Sequence, residues 1–106
     1  MSDARSVYRE AFAHFVKGEL ESAIAGYQRA IELDGKLAIA WNGLSMALAQ
    51  QGNLDEAIDA ARRLIELEPD DPLSHTNLSR LLQKKGLVPE AEAAMAAATR
   101  LQMKPR

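Results

Sequence analysis

The sequence predicts an all-α protein, a solenoid of six antiparallel helices in three pairs. Three observations carry this prediction. Small and apolar residues recur every 34 positions, the apolar residues between them keep helical spacing, and no stretch alternates with the period of a strand. Gly18, Gly52 and Gly86 lie 34 apart, as do Ala23, Ala57 and Ala91; so do Leu33, Leu67 and Leu101, and Leu20, Leu54 and Val88. The repeats are then Ala4–Leu37, Ala38–Asp71 and Pro72–Pro105, covering 102 of 106 residues without insertion. Residues 1–106 read as one domain.

Each repeat reads as two helices. The first helices are Ala4–Lys17, Ala38–Gln51 and Pro72–Lys85, each ended by a glycine that can take the left-handed conformation. The second begins two or three residues later. In the middle repeat it is marked by Leu54, Ala57, Ile58, Ala61, Leu64 and Ile65 at i, i+3, i+4, i+7 spacing. Asp55 and Glu56 sit in its first turn, where the helix dipole favours negative charge. Asp71 and Pro72 read as N-cap and first residue of the fifth helix. Pro89 opens the sixth, where a missing N–H costs nothing.

Composition narrows the function. Apolar residues make up 47% of an 11.6 kDa chain and charged residues 26%, enough apolar surface to offset chain entropy. With no cysteine, disulfides, thiolate nucleophiles and Cys-bearing metal sites are excluded. No apolar run approaches the roughly 20 residues of a membrane span. The segment MSDARSVYREAF has no apolar signal core, so the expected location is cytoplasmic. A net charge of -2 and a pI near 5.7 argue against nucleic acid as a partner.

A 34-residue helix-turn-helix resembles the tetratricopeptide repeat, whose pattern is W-x2-L-G-x2-Y, then A-x3-F, then P. The second repeat supplies Trp41, Leu44, Ser45, Leu48, Ala57, Ala61 and Pro69. The first supplies Val7, Ala11, Gly18, Ala23, Tyr27 and Ala30, and the third Leu78, Ser79, Leu82, Gly86, Ala91, Met95 and Ala98. The resemblance implies a right-handed α-solenoid, with Trp41 as a large core side chain.

The departures from the pattern are themselves ordered. Glu10 and His14 replace the apolar residues found at Leu44 and Leu48 and at Leu78 and Leu82. Glu92 and Thr99 replace those found at Ile24 and Ile31 and at Ile58 and Ile65. Polar residues thus occupy one face of the first helix and one face of the last, as terminal repeats require. The chain is expected to be capped at both ends by substitution, and to be a monomer.

Chemistry is poorly supported. His14 and His75 lack a third ligand at helical spacing. His75 and Ser79 are i, i+4 and could share a hydrogen bond, but no carboxylate is placed to orient them. The glycines lie 34 apart and form no phosphate-cradling loop, and Asp70-Asp71 suits a helix cap better than a calcium site. The expected protein is not an enzyme and has no cofactor or metal.

What remains is a surface. The resemblance implies that the first helices line a concave groove, with repeat positions 2, 5, 9, 12 and 13 facing it. These are Arg5, Tyr8, Phe12, Phe15 and Val16; Ile39, Asn42, Met46, Ala49 and Gln50; and Leu73, Thr76, Arg80, Gln83 and Lys84. Arg9 and Asn77 complete the candidate set. Three of the five aromatic residues lie on this stripe of one helix, whose separate core stripe is expected through Val7, Ala11 and Ala13. The three first helices carry a net +5 and the rest of the chain -7.

The expected function is non-catalytic binding of a protein or peptide in the groove, as adaptor or scaffold, by a ligand with apolar anchors and acidic flanks. In one subclass of the family, Lys, Asn and Arg grip the C-terminal carboxylate of a chaperone tail. The matching positions here are Tyr8, Phe12, Gly43, Leu73 and Asn77, and none has the required residue, so that partner is not expected. The alternative reading is a self-assembling protein whose first-helix aromatic stripe forms a homo-oligomer. RNA binding by helical-pair repeats is disfavoured by the strict period and the acidic total.

Overall fold

The structure, a computed structural model, describes residues 3–104. Pro105, at the expected end of the third repeat, and Met1, Ser2 and Arg106 lie outside the described residues. Six helices follow in order: α1 (Ala4–Val16), α2 (Leu20–Leu33), α3 (Ala38–Gln51), α4 (Leu54–Leu67), α5 (Pro72–Lys85) and α6 (Val88–Met103). They form three antiparallel pairs stacked into a right-handed solenoid, with no strand among the described residues.

The chain punctuates these helices with local chemistry. Gly18, Gly52 and Gly86 adopt φ of 81°, 93° and 88°, a region that side chains with a Cβ rarely enter, and so end α1, α3 and α5. Asp71 caps α5 by accepting the Leu73 N–H at 3.0 Å, with Pro72 behind it in the first turn. Asp3 caps α1 through the Ser6 N–H at 2.8 Å, which holds its carboxyl below the usual carboxylate range.

Packing within a pair depends on small residues. A Cβ added to Gly26 would stand 2.7 Å from the Ala11 Cβ, so α1 and α2 touch almost backbone to backbone. At the positions equivalent to Ala11, Ser45 and Ser79 are buried and donate to the carbonyls of Ala57 and Ala91, at 2.9 and 2.7 Å. His75 and Ser79, i, i+4 on one helix, do not share a hydrogen bond: the Ser79 hydroxyl is spent on the neighbouring helix. His75 instead directs Nε2 at the Pro69 carbonyl, 2.9 Å away, and Trp41, one repeat earlier, directs Nε1 at the Gly35 carbonyl at the same distance. Both rings tie down the loop before their helix.

That role corrects the expectation that Trp41 is a large core residue. Trp41 is half-buried, with the Arg63 guanidinium 5.9 Å from its ring centroid. The large core aromatic is Tyr27, only 1% exposed, packed over Gly43 and 5.7 Å from the Tyr8 ring. Ala13 is exposed, so the core stripe of α1 runs through Ala11 with Val7 and Tyr8 half-buried beside it.

Burial pushes the Tyr27 hydroxyl up to about 12, with a smaller contribution from Tyr8. The folded state then holds this proton more tightly than the unfolded chain, whose tyrosine titrates near 10. Stability should be intact below pH 10 and fall as pH rises from 10 towards 12. Melting temperatures across that range should decline in the native chain and decline less in Tyr27→Phe; equal declines would show that Tyr27 is not the group responsible.

The two ends carry the polar substitutions where expected. Glu10, Glu92 and Thr99 are exposed, and His14 is half-buried, its Nδ1 2.7 Å from the Glu19 carboxylate. Leu44, Leu48, Leu78 and Leu82, the equivalents of Glu10 and His14, are buried, because each has a preceding repeat against it. Substituting Ile for both Glu92 and Thr99 should create an uncovered apolar face on α6 and promote end-to-end association. Light scattering over a concentration series reads this; a native chain already dimeric through Glu92 and Thr99 would contradict it.

Candidate functional site: a groove along the first helices

α1, α3 and α5 place a row of side chains on one side of the solenoid. Phe12 (47%), Ile39, Met46 (44%) and Leu73 (64%) are exposed, as is Val16. On α1 the Tyr8 and Phe12 ring centroids are 6.2 Å apart and those of Phe12 and Phe15 6.5 Å, both pairs stacked. Tyr8 and Phe15 are half-buried against the core, so Phe12 is the aromatic side chain of α1 most available to a ligand.

The second cluster lies along the seam of α3 and α5. Asn77 Nδ2 donates to Asn42 Oδ1 at 3.4 Å, bridging the seam, and a hollow opens on either side of the bridge. One, of ≈ 170 Å³, is lined by Ile39, Leu73 and both asparagines, with Leu64, Glu68, Asp71 and Ser74. The other, of ≈ 210 Å³, is lined by the same asparagines with Met46, Ala49, Gln50, Leu81, Arg80 and Lys84. Helical spacing explains the grouping: Asn42 and Met46 are i, i+4, as are Arg80 and Lys84, so each pair shares a face.

Not every candidate residue joins these clusters. Arg5 and Arg9 line a separate hollow with Asp3, Leu33 and Asp34 at the N-terminal end, and Arg9 Nη2 donates to Ser6 at 3.1 Å. Thr76 is half-buried and its hydroxyl donates to the Pro72 carbonyl at 3.1 Å. Glu68 and Asp71 are groove-side charges that the helix pattern could not place, because they belong to the loop between α4 and α5. The run Glu68-Pro69-Asp70-Asp71, where that loop meets the seam, is the signal that could have found them.

Two further furrows lie along the second helices. One, of ≈ 470 Å³, runs between α4 and α6 over Leu78 and Leu82; another, of ≈ 380 Å³, runs between α2 and α4 over Leu44 and Leu48. They are one repeat apart and have the same origin, the splay of successive second helices. Their floor leucines already serve the core. Among the described residues no three His, Asp or Glu side chains gather as metal ligands, and no helix is long and apolar enough to cross a membrane.

Comparison with curated proteins gives no match. Among solved structures, the chain is similar to MamA, with 28% identity and a TM-score of 0.91, over 94% of this chain and 58% of that one. It spans little more than half of MamA. It is also similar to the type III secretion translocator chaperone SycD of Yersinia enterocolitica, at 24% identity and TM-score 0.88, over 96% of this chain and 76% of that one. The second TPR of Spaghetti (RPAP3), in a structure bound to the HSP90 peptide SRMEEVD, aligns at 23% identity and TM-score 0.87, over 94% and 93% of the two chains. The last two likenesses concern the fold. Family models of the tetratricopeptide repeat match residues 8–72 and 48–106, across the glycine turns, the paired helices and the first-helix groove. The chain belongs to the tetratricopeptide repeat family.

Proposed function

We propose that this chain, as one unit of three repeats, binds a peptide segment of another protein along its first helices, in an adaptor or scaffold role without catalysis. The observation that carries this reading is the concentration of exposed apolar side chains, Phe12, Val16, Ile39, Met46 and Leu73, on that one side. Arg80 and Lys84 beside Met46 favour acidic groups next to an apolar anchor. Peptides are held by proteins of similar fold: the second TPR of Spaghetti (RPAP3) is bound to an HSP90 peptide, and SycD is in a complex with a peptide of the translocator YopD. The chaperone-tail carboxylate remains a poor fit, since Tyr8, Phe12, Gly43, Leu73 and Asn77 offer it no cation. The working form is a cytoplasmic monomer.

The test begins with a partner captured by the native chain and identified by mass spectrometry. Its affinity is then measured against Met46→Asp and Leu73→Asp in the groove and against Asp59→Lys in the α2/α4 furrow. Loss of binding in the groove variants, with Asp59→Lys unaffected, supports the reading. The reverse pattern places the ligand on the outer helices. Reversible association of the chain alone, removed by Phe12→Ala, would favour the homo-oligomer instead.

A further inference from the structure

The two hollows beside the Asn42–Asn77 bridge differ in charge. At the N-terminal ends of α3 and α5 the charged lining residues are Glu68 and Asp71; at the other end they are Arg80 and Lys84. Neither hollow contains a charge of the other sign. Asp71 is partly engaged as the cap of α5, so exposed Glu68 is the principal acidic contact. Each hollow also has its own exposed apolar residues, Ile39 and Leu73 in one and Met46 in the other.

Spacing constrains what can occupy both. Ile39 and Met46 are seven positions apart on one helix, or about 10.5 Å at 1.5 Å per residue. An extended ligand in the polyproline conformation rises about 3.1 Å per residue with three residues per turn, so its residues i and i+3 face the same side about 9 Å apart. The asparagine amides between the hollows suit a ligand whose backbone groups are free, which an extended segment has and a helix does not.

Resting on the groove reading above, we propose that the α3/α5 seam is a two-pocket site for an extended, bipolar peptide. A basic residue and an apolar anchor lie at the Glu68 end, a second apolar anchor follows three residues along, and an acidic residue meets Arg80 and Lys84. This refines the expected ligand: its acidic flank is at one end only. The opposed charges fix which way the peptide lies, because reversal sets like charges against each other at both ends.

The experiment pans a random dodecapeptide phage library on the full chain. Enriched peptides are synthesised and titrated by fluorescence anisotropy against the native chain, Met46→Glu, Glu68→Lys and Arg80→Glu/Lys84→Glu, with circular dichroism confirming each fold. The expected consensus has two apolar residues three apart, a base beside one and an acid beside the other. Glu68→Lys and Arg80→Glu/Lys84→Glu should each weaken binding roughly tenfold, a typical scale for a displaced charge pair. Reversing the charge at the matching end of the peptide should restore it. If peptides bind, Met46→Glu abolishes binding, and the consensus is acidic at both ends or Glu68→Lys tightens it, the bipolar site is overturned and the groove reading stands. If no peptide is enriched, or Met46→Glu has no effect, both fall.

Discussion

Truncating Tyr27 to alanine is expected to cost about 3–5 kcal/mol of folding stability, the scale of a large aromatic removed from a core. Tyr27 is almost wholly excluded from solvent, and its ring fills the space that only a glycine at position 43 leaves open. A Cβ at position 43 would lie 2.5 Å from two ring atoms, so tyrosine and glycine form one packing unit joining α2 to α3. Trp41→Ala should cost less, about 1–2 kcal/mol, because its ring is half in water and its loss leaves no closed cavity. The pair also makes a distinctive cycle. Gly43→Ala should overpack the native chain yet be better tolerated beside Tyr27→Ala, a coupling expected only of residues in contact. Urea midpoints of the four chains measure it. A Trp41→Ala loss equal to that of Tyr27→Ala would contradict this account of the core, as would additive effects of Gly43→Ala and Tyr27→Ala.

Phe12→Ala is expected to have a large effect on partner binding, at about 2 kcal/mol or more, the scale of an aromatic anchor. Stacked between Tyr8 and Phe15, the Phe12 ring is held in place yet half exposed, so little side-chain freedom remains to be lost when a ligand covers it. The loss should appear as faster dissociation. Arg80→Glu/Lys84→Glu should instead slow association and reduce its sensitivity to salt, since exposed charges act mainly on encounter. Surface plasmon resonance of a captured partner at low and high salt separates the two effects. Unchanged dissociation in Phe12→Ala would remove the aromatic row from the site. Neither variant should unfold the chain, because all three side chains are exposed.

Much of the architecture was legible in the residues themselves. The 34-residue period, the left-handed glycines and the Asp71-Pro72 start of α5 all act within a few positions of the backbone, so a linear pattern records them. The polar ends were equally legible, because a repeat shows its missing neighbour by comparison with the other two. The exposed row of Phe12, Ile39, Met46 and Leu73 followed from helical spacing combined with the family's groove positions.

Other features were decided only when the helices met. Tyr27 occupies the same repeat position as Ala61 and Met95, yet it alone is a large buried ring, because Gly43 on the next repeat makes room for it. Trp41 and His75 look apolar-facing by period, but the loop carbonyls of Gly35 and Pro69 draw their ring nitrogens to the edge of the core. Ala13, periodic with nothing beside it, is left in solvent. Within the groove, the approach of α3 to α5 separates one list of candidates into an acidic hollow, a basic hollow and a detached pair at Arg5 and Arg9. Helical period determines which residues share a face; only the crossing of one helix by another determines what that face meets, and with it which residues pack, which bind and which face water.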